Sequence, residues 1–219
     1  MKSNTDAKAL RSEVLTTKNI AAAAQVLASR DKQLSAILKR HGPPPLWNRP
    51  QGFPTLVRII LEQQVSLASA ASIYDRLASS IDPFVPTGFI RVGESYFRSL
   101  GVTRQKAHYL LRLAESIEGG HLSFQALSRM TDQDAKLALM NIKGIGSWSA
   151  DIYLLMAMRR ADIWPSGDLA LATTVMEMNQ VNDRPQEDHL IEMAERWRPY
   201  RAVAARMLWQ YYLAKRGRL

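Results

Sequence analysis

The chain has 219 residues, of which 47% are hydrophobic, with a formal net charge of +9 and a pI near 10.0. It is long and apolar enough to bury a core, which excludes a disordered chain. The positive charge favours a polyanionic partner, with nucleic acid first and an anionic membrane surface second. A basic surface without such a partner is the alternative interpretation.

Several function classes are excluded by residues that are missing. The sequence contains no Cys, so it has no disulfide, iron-sulfur cluster or thiolate zinc site. Its four His show no metal-ligand spacing. The apolar run Ile152–Met158 is too short to span a bilayer, and Met1–Asp6 lacks the apolar core of a signal peptide. We therefore expect a cytoplasmic, nucleoid-associated protein that does not bind membranes.

Apolar residues recur at helical spacing along almost the whole chain, so the predicted fold class is all-α. Residues 18–40 predict one or two helices that stop at the prolines following Gly42. Thr55 is expected to cap the next helix. The polar segment Gln63–Ser66 interrupts that helix before helical spacing resumes over residues 67–77.

Further helices are predicted along the rest of the chain. Thr131–Asp134 has the form of a capping box, which opens a helical hairpin of about 134–158. The other predicted helices cover residues 87–100, 103–117, 169–178 and a closing region over 187–215. We expect one unit with two lobes. Its middle lobe is about 55–163, and its second lobe combines about 1–54 with 164–219.

The segment Lys143-Gly144-Ile145-Gly146-Ser147 is the strongest local motif. Two glycines around one apolar residue let the chain turn sharply and leave backbone N–H groups open to a phosphate oxygen. Such a pair alone is weak, but Ser147 is positioned to cap a long apolar helix. A lone carboxylate, Asp168, follows 22 residues after Gly146. The sequence thus predicts a phosphate-binding hairpin together with a single acid.

Five segments, in order, resemble the helix-hairpin-helix-Gly-Pro-Asp (HhH-GPD) DNA glycosylase superfamily, in particular its 3-methyladenine DNA glycosylase II branch. They are 59–66, 100–107, the hairpin, 165–171, and 194–201 with Trp209. The resemblance covers most of the chain and implies a two-lobed helical fold with a lesion-binding cleft between the lobes. The chain resembles a compact form that lacks the extra N-terminal β domain of larger bacterial members.

The resemblance implies that Asp168 is the catalytic residue. A carboxylate beside the sugar stabilises the oxocarbenium-like transition state or directs a water, and a position at a helix N-terminus favours its negative charge. A simple N-cap role is the structural alternative, and the two roles are compatible. Asp151 and Glu62, both in helical segments, are weaker candidates.

Alkylation makes a purine a better leaving group, so one carboxylate can suffice. Lyase-competent relatives carry a Schiff-base Lys two residues after the second hairpin glycine, where this chain has Trp148. The resemblance therefore implies hydrolysis of the glycosidic bond without strand cleavage.

A base inside a duplex must be flipped out before its glycosidic bond can be reached. Aromatic faces suit the pocket, because an electron-poor alkylated base stacks well on an electron-rich ring. The resemblance implies this role for Trp209 and Trp148, with Tyr153, Trp47 and Trp164 as weaker candidates. Ordinary core packing is the alternative for each.

Contacts with the duplex are also implied by the resemblance. Gln63 and Gln64 lie where the family places its duplex wedge, and Gln64 matches the inserted residue; a polar helix end is the alternative. The residues expected to bind phosphates are Lys143, Gly144, Gly146, Ser147, Ala150 through its N–H group, and Arg104. The residues that could extend this basic track are Lys106, Arg196, Arg198, Arg201 and Arg206; a solvated surface charge is the alternative for each of them singly.

No cofactor is expected to be required. The family's hairpin often holds a monovalent cation, Na⁺ or K⁺, through backbone carbonyls. In this chain these carbonyls would belong to Met140, Ile142 and Ile145.

The expected function is that of a monomeric, monofunctional DNA N-glycosylase that starts base excision repair. It would flip 3-methyladenine or 7-methylguanine out of double-stranded DNA and hydrolyse the N-glycosidic bond. One alternative is a noncatalytic helix-hairpin-helix DNA-binding module, which would not need Asp168. The other is a glycosylase for oxidised or mismatched bases. The absence of Cys argues against its iron-sulfur members, and Trp148 argues against its lyases.

Overall fold

The computed structural model describes residues 13–219, and this part of the chain is helical, with one isolated bridge between Val14 and Arg160 and no β-strand. The all-α prediction is confirmed. The segment Met1–Asp6, considered above as a signal peptide, lies outside the described residues. The helices are α1 (Ile20–Arg30), α2 (Lys32–His41), α3 (Phe53–Glu62), α4 (Leu67–Ser80), α5 (Pro86–Ser99), α6 (Arg104–Glu118), α7 (Phe124–Arg129), α8 (Asp132–Met140), α9 (Ser147–Met156), α10 (Leu169–Met178), α11 (Glu187–Glu195) and α12 (Arg201–Lys215).

None of the helices found between residues 13 and 219 is long and apolar enough to cross a membrane.

By its internal contacts the chain divides into two compact units. Unit 1 contains the described residues through Asn48 together with Leu154–Leu219, and unit 2 is Arg49–Tyr153. The lobe bounds expected from the sequence, about 55–163 for the middle lobe, stay a prediction.

Unit 1 is built around α12, which packs against α1, α2 and α10. All residues from Ala202 to Gln210 are buried. A helix buried on every face must be enclosed by its neighbours, and this explains why α12 includes so many small side chains.

Asp31 fixes the corner between α1 and α2. Its Oδ1 accepts hydrogen bonds from the N–H groups of Gln33 (2.9 Å) and Leu34 (3.1 Å), so it is the N-cap of α2. Its Oδ2 accepts one from the Trp197 indole N–H at 2.9 Å and is paired with Arg196 at 3.1 Å. Since Asp31 is only 8% exposed, these contacts replace the water that the carboxylate loses.

The expectation that Arg206 extends a basic track on the surface is wrong. Its side chain is fully buried and donates to the carbonyls of Leu46 (2.9 Å), Leu155 (2.8 Å) and Ala202 (3.2 Å). Burial lowers the pKa of Arg206 to about 9, so the guanidinium stays charged at neutral pH. Arg198 and Arg201 pair with Asp162 at 2.9 and 3.0 Å. Arg198 and Arg201 therefore form ion pairs within unit 1.

In unit 2, α5 packs against α6, and α3 packs against α4 and α6. Thr103 caps α6 and Ser66 caps α4. The predicted capping box is partly confirmed, since the Thr131 hydroxyl accepts from the Asp134 N–H at 3.1 Å and donates to its carboxylate at 2.8 Å. The expectation for Thr55 is wrong. Helix α3 begins at Phe53, and the Thr55 hydroxyl donates back to the carbonyl of Pro50 at 2.6 Å.

We predict that Asp31→Ala lowers the free energy of unfolding by more than an exposed cap does. Thr131→Ala is the matched comparison and should cost about 1 kcal/mol. Asp31→Ala should cost about 3 kcal/mol, because it removes a cap and leaves the buried Trp197 N–H without its acceptor. Urea unfolding of both variants measures the difference, and equal losses would contradict the role given to Asp31.

Candidate functional site

Asp168 is the N-cap of α10 in unit 1. Its Oδ1 accepts hydrogen bonds from the N–H groups of Ala170 and Leu171, each at 3.0 Å, and from the Trp209 indole N–H at 3.1 Å. Gly167, with a φ of 78°, makes the preceding turn. Three N–H donors and a helix N-terminus stabilise negative charge on a half-buried carboxylate. The N-cap interpretation is thus confirmed, and it leaves Asp168 a rigidly oriented acid.

Trp209 contributes to the site through an interaction that the sequence did not predict. It lies on α12, is 8% exposed, and uses its ring N–H to hold Asp168. The two residues are 41 positions apart, and no local pattern links them. Its role as a stacking surface for a base stays a prediction.

The other candidate aromatics fall into two groups. Tyr153 is fully buried, its phenol oxygen accepts from the Gly52 N–H at 3.0 Å, and burial raises its pKa to about 12. Trp164 is 6% exposed and packs against Trp197 with ring centroids 5.4 Å apart. By contrast, Trp148 and Trp47 are half-buried. The buried pair has the contacts of core residues, and the half-buried pair is partly accessible to solvent.

The two competing acids are held in ion pairs. The Glu62 carboxylate accepts two hydrogen bonds from the Arg49 guanidinium, at 2.8 and 3.0 Å. Asp151 is 2% exposed and pairs with Lys136 at 2.8 Å. Both carboxylates therefore have structural roles inside unit 2, which supports ranking them below Asp168.

The hairpin consists of α8, a turn and α9, and its two glycines, which both lie in unit 2, differ. Gly144 has a φ of 97°, and a Cβ there would come within 2.2 Å of the Tyr109 ring. Gly146 has no atom within 4 Å of its Cβ position and does not have a positive φ. The expectation that both glycines serve the turn is corrected. Only Gly144 is sterically required, and Gly146 leaves the backbone open.

The start of α9 also differs from the expectation. Ser147 is the first residue of the helix rather than the residue before it, and its hydroxyl lies 3.5 Å from Asp151. The N–H of Ala150 already donates to the Gly146 carbonyl at 3.0 Å, which places Ala150 outside the set of open donors. The N–H groups at the start of a helix have no acceptor within it, so Gly146 and Ser147 can offer theirs to an anion. Lys143 and Arg104 are exposed.

We call Gln63–Ser66 the wedge segment. The Gln63 side chain amide donates to the Gly144 carbonyl at 2.9 Å and to the Ser149 hydroxyl at 2.8 Å. Gln64 is exposed and has a φ of 56°. A residue other than glycine held in this left-handed region is strained, as Trp47, Arg159 and Gln180 also are, and such strain often occurs at functional sites. Of the two predicted wedge residues, Gln64 is presented to solvent and Gln63 is tied to the hairpin.

A hairpin with an open glycine backbone and a capped carboxylate after it are together characteristic of a class of DNA repair proteins. Residues 57–199 match the family described as "HhH-GPD superfamily base excision DNA repair protein". The chain belongs to this superfamily.

Individual relatives agree with this assignment. The chain is 26% identical over 191 residues to the alkylbase DNA glycosidase-like protein mag2 of Schizosaccharomyces pombe, covering 84% of this chain and 90% of the relative. It is also 26% identical over 173 residues to a Bacillus subtilis DNA-3-methyladenine glycosylase, covering 74% of this chain and 57% of that protein. Against two B. subtilis relatives the chain spans 64% and 57% of their lengths.

Solved structures share the fold. A DNA-3-methyladenine glycosidase from Bacillus halodurans aligns with a TM-score of 0.78 and 26% identity, covering 95% of each chain. The S. pombe 3-methyladenine DNA glycosylase Mag1, solved in complex with abasic DNA, aligns with a TM-score of 0.76 and 20% identity. That alignment covers 89% of this chain and 97% of Mag1.

We predict that alanine substitutions separate the roles of the two hairpin glycines. Gly144→Ala should lower the free energy of unfolding by about 2 kcal/mol or more, because it combines a left-handed φ with a clash against Tyr109. Gly146→Ala should unfold like the unsubstituted protein but bind duplex DNA about tenfold more weakly, a loss near 1.4 kcal/mol, since its methyl group blocks the approach of a phosphate. Urea unfolding and fluorescence anisotropy measure the two effects. Normal DNA affinity in Gly146→Ala would contradict the assignment.

Proposed function

We propose that the protein is a monofunctional DNA N-glycosylase that removes 3-methyladenine and 7-methylguanine from double-stranded DNA at the start of base excision repair. The observation that carries the proposal is the Asp168 carboxylate, fixed at the N-terminus of α10 by two backbone N–H groups and the Trp209 indole. The superfamily assignment and the names of the relatives, several of which are 3-methyladenine glycosylases, support the choice of substrate.

The chemistry requires negative charge at one fixed point. When an N-methylated purine departs, its own positive charge is neutralised and the sugar becomes cationic, so the base needs little help in leaving. Asp168 stabilises the cationic sugar or directs the water that attacks it. Its three donors hold the carboxylate in place before the reaction, so no reorganisation is needed as charge develops.

Access to the bond depends on the residues of unit 2. Gln64 enters the duplex as the wedge and fills the gap left by the flipped base. Gly146 and Ser147 donate backbone N–H groups to phosphate oxygens, and the exposed side chains of Lys143 and Arg104 contribute positive charge. These contacts position the DNA without reading its sequence, which suits an enzyme whose target occurs in any sequence.

From the superfamily resemblance we infer that the hairpin turn binds a monovalent cation. The Ile142 carbonyl accepts the Ile145 N–H at 3.0 Å, and a carbonyl oxygen has a second lone pair for a cation. Met140, Ile142 and Ile145 would hold Na⁺ or K⁺, which would add positive charge beside a bound phosphate. No other cofactor is proposed, and we infer a monomer acting on chromosomal DNA in the cytoplasm.

We predict that Asp168→Asn lowers the release of 7-methylguanine from methylated duplex DNA by at least about 100-fold, the usual cost of losing a preorganised electrostatic group. Asn keeps an oxygen that can accept the same three N–H groups, so folding and DNA binding should be preserved. Chromatography of released bases measures the rate. Asp188→Asn, which changes an exposed acid in the first turn of α11, is the control.

Full base release by Asp168→Asn would refute the catalytic role. If the unsubstituted protein bound DNA but released no base of any kind, it would instead be a noncatalytic DNA-binding module. Release of oxidised or mismatched bases alone would point to the other branch of the superfamily.

We predict that base release leaves the DNA strand intact until alkali is added, because Trp148 stands at the position of the lyase Lys and has no amine to form a Schiff base. Denaturing electrophoresis before and after alkali treatment tests this. A covalent enzyme–DNA adduct trapped by borohydride would contradict it.

A further inference from the structure

Lys106, in the first turn of α6, makes contacts that a phosphate-binding lysine would not make. Its ammonium donates to the carbonyls of Leu61 and Gln63, each at 2.7 Å. The last carbonyls of a helix have no partner within it, so Lys106 caps the C-terminus of α3 with two charge-assisted hydrogen bonds. Burial lowers the pKa of Lys106. The expectation that it extends the basic track is corrected.

The same short segment is held from a second side. The Gln63 side chain donates to the Gly144 carbonyl and the Ser149 hydroxyl. Gln63 is thus fastened at its own carbonyl by Lys106 and at its side chain by the hairpin. The wedge residue Gln64 follows directly, with its left-handed φ of 56°.

Helix α6 supports the hairpin as well as the wedge segment. Tyr109 lies three residues after Lys106, and its ring occupies the space where a Gly144 side chain would be. Residues three apart lie on the same helix face. One face of α6 therefore carries both the residue that holds the wedge segment and the residue that holds the hairpin turn.

A strained backbone conformation persists only where its surroundings fix it. Gln64 is exposed, so its own side chain is not what maintains the strain. The fixed points are at Gln63, next to it, and Ser66, which caps α4. A wedge that is already rigid loses little conformational freedom when it enters DNA.

We propose that Lys106 is a positioning residue for base flipping. By binding the carbonyls of Leu61 and Gln63, it holds Gln64 in the conformation that enters the duplex and fixes the wedge at a set position from the phosphate-binding hairpin. The inference rests on the proposed function, in which Gln64 fills the gap left by the base.

A direct phosphate contact by Lys106 would have a different consequence. Removing one phosphate contact reduces the slope of log affinity against log salt by about one. A residue that acts through the wedge leaves this slope unchanged and affects base excision instead. Salt titration of duplex binding therefore distinguishes the two roles.

The test is a double-mutant cycle on single-turnover release of 7-methylguanine from duplex DNA, with Lys106→Met, Gln64→Ala and the double variant. Each single change should slow release by about tenfold or more, the scale expected when a reacting group is misplaced. The double variant should be no slower than the slower single variant, because both changes remove the same wedge. The control is Arg112→Met, which removes one exposed charge from the same helix and should release base at the original rate.

Three results would overturn the inference. They are a Lys106→Met rate equal to that of the unsubstituted protein, fold-changes that multiply in the double variant, and a salt slope lower by about one in Lys106→Met. A lack of base release by the unsubstituted protein would instead be a failure of the proposed function, seen before any variant is compared.

Amide hydrogen exchange supplies a readout that does not depend on activity. Exchange at Gln63 and Ser69, whose N–H groups donate to the Ile60 carbonyl and the Ser66 hydroxyl, should be faster in Lys106→Met, while that of α12 should be unchanged. If Lys106→Met does not fold, Lys106→Gln, which keeps a donor but no charge, takes its place in the same cycle. Unchanged exchange in the wedge segment would count against the role of Lys106.

Discussion

The proposed chemistry depends on one oxygen atom. Oδ1 of Asp168 accepts hydrogen bonds from two backbone amides at the start of α10 and from the indole of Trp209. These contacts make the residue a helix cap and, at the same time, a negative charge of fixed position. The usual contrast between a structural and a catalytic aspartate does not apply, because the hydrogen bonds that fold the helix also preorganise the charge.

In unit 2, neighbouring residues of the hairpin and of the wedge segment likewise have different structural roles. Gly144 is required by the Tyr109 ring and by its own backbone conformation, whereas a Cβ at Gly146 would meet no atom within 4 Å. Gln63 is held by the hairpin and by Lys106. Its neighbour Gln64 is left exposed and strained. Rigid support beside an exposed, strained residue is the arrangement expected where a protein acts on a partner.

The sequence was most informative where the determining interactions are local. Helix periodicity, the Thr131 cap and the position of Asp168 before an apolar helix depend on residues a few positions apart, and the structure agrees with them. Thr55 was misassigned because the glycine at position 52 and the proline at position 54 allowed the helix to begin earlier. The hairpin glycines look alike in sequence, and only the position of Tyr109 separates their roles.

Contacts between residues far apart in the sequence could not be predicted from the sequence. Arg206 looks like a surface arginine until α12 is seen to be buried on every face. Lys106 looks like a phosphate ligand, but it caps a helix that ends more than 40 residues earlier. The Trp209 contact with Asp168 is of the same kind. In each case the side chain chemistry was evident, whereas its partner depended on packing.

Binding of a transition-state analogue tests whether Asp168 supplies fixed negative charge to a cationic sugar. Duplex DNA carrying a cationic pyrrolidine in place of the target sugar mimics the transition state, and the neutral tetrahydrofuran analogue is its matched reference. We expect the protein to bind the cationic analogue at least about tenfold more tightly, a difference of about 1.4 kcal/mol. We expect Asp168→Asn to lose this preference while keeping its affinity for the neutral analogue. An equal preference in both proteins would contradict the account.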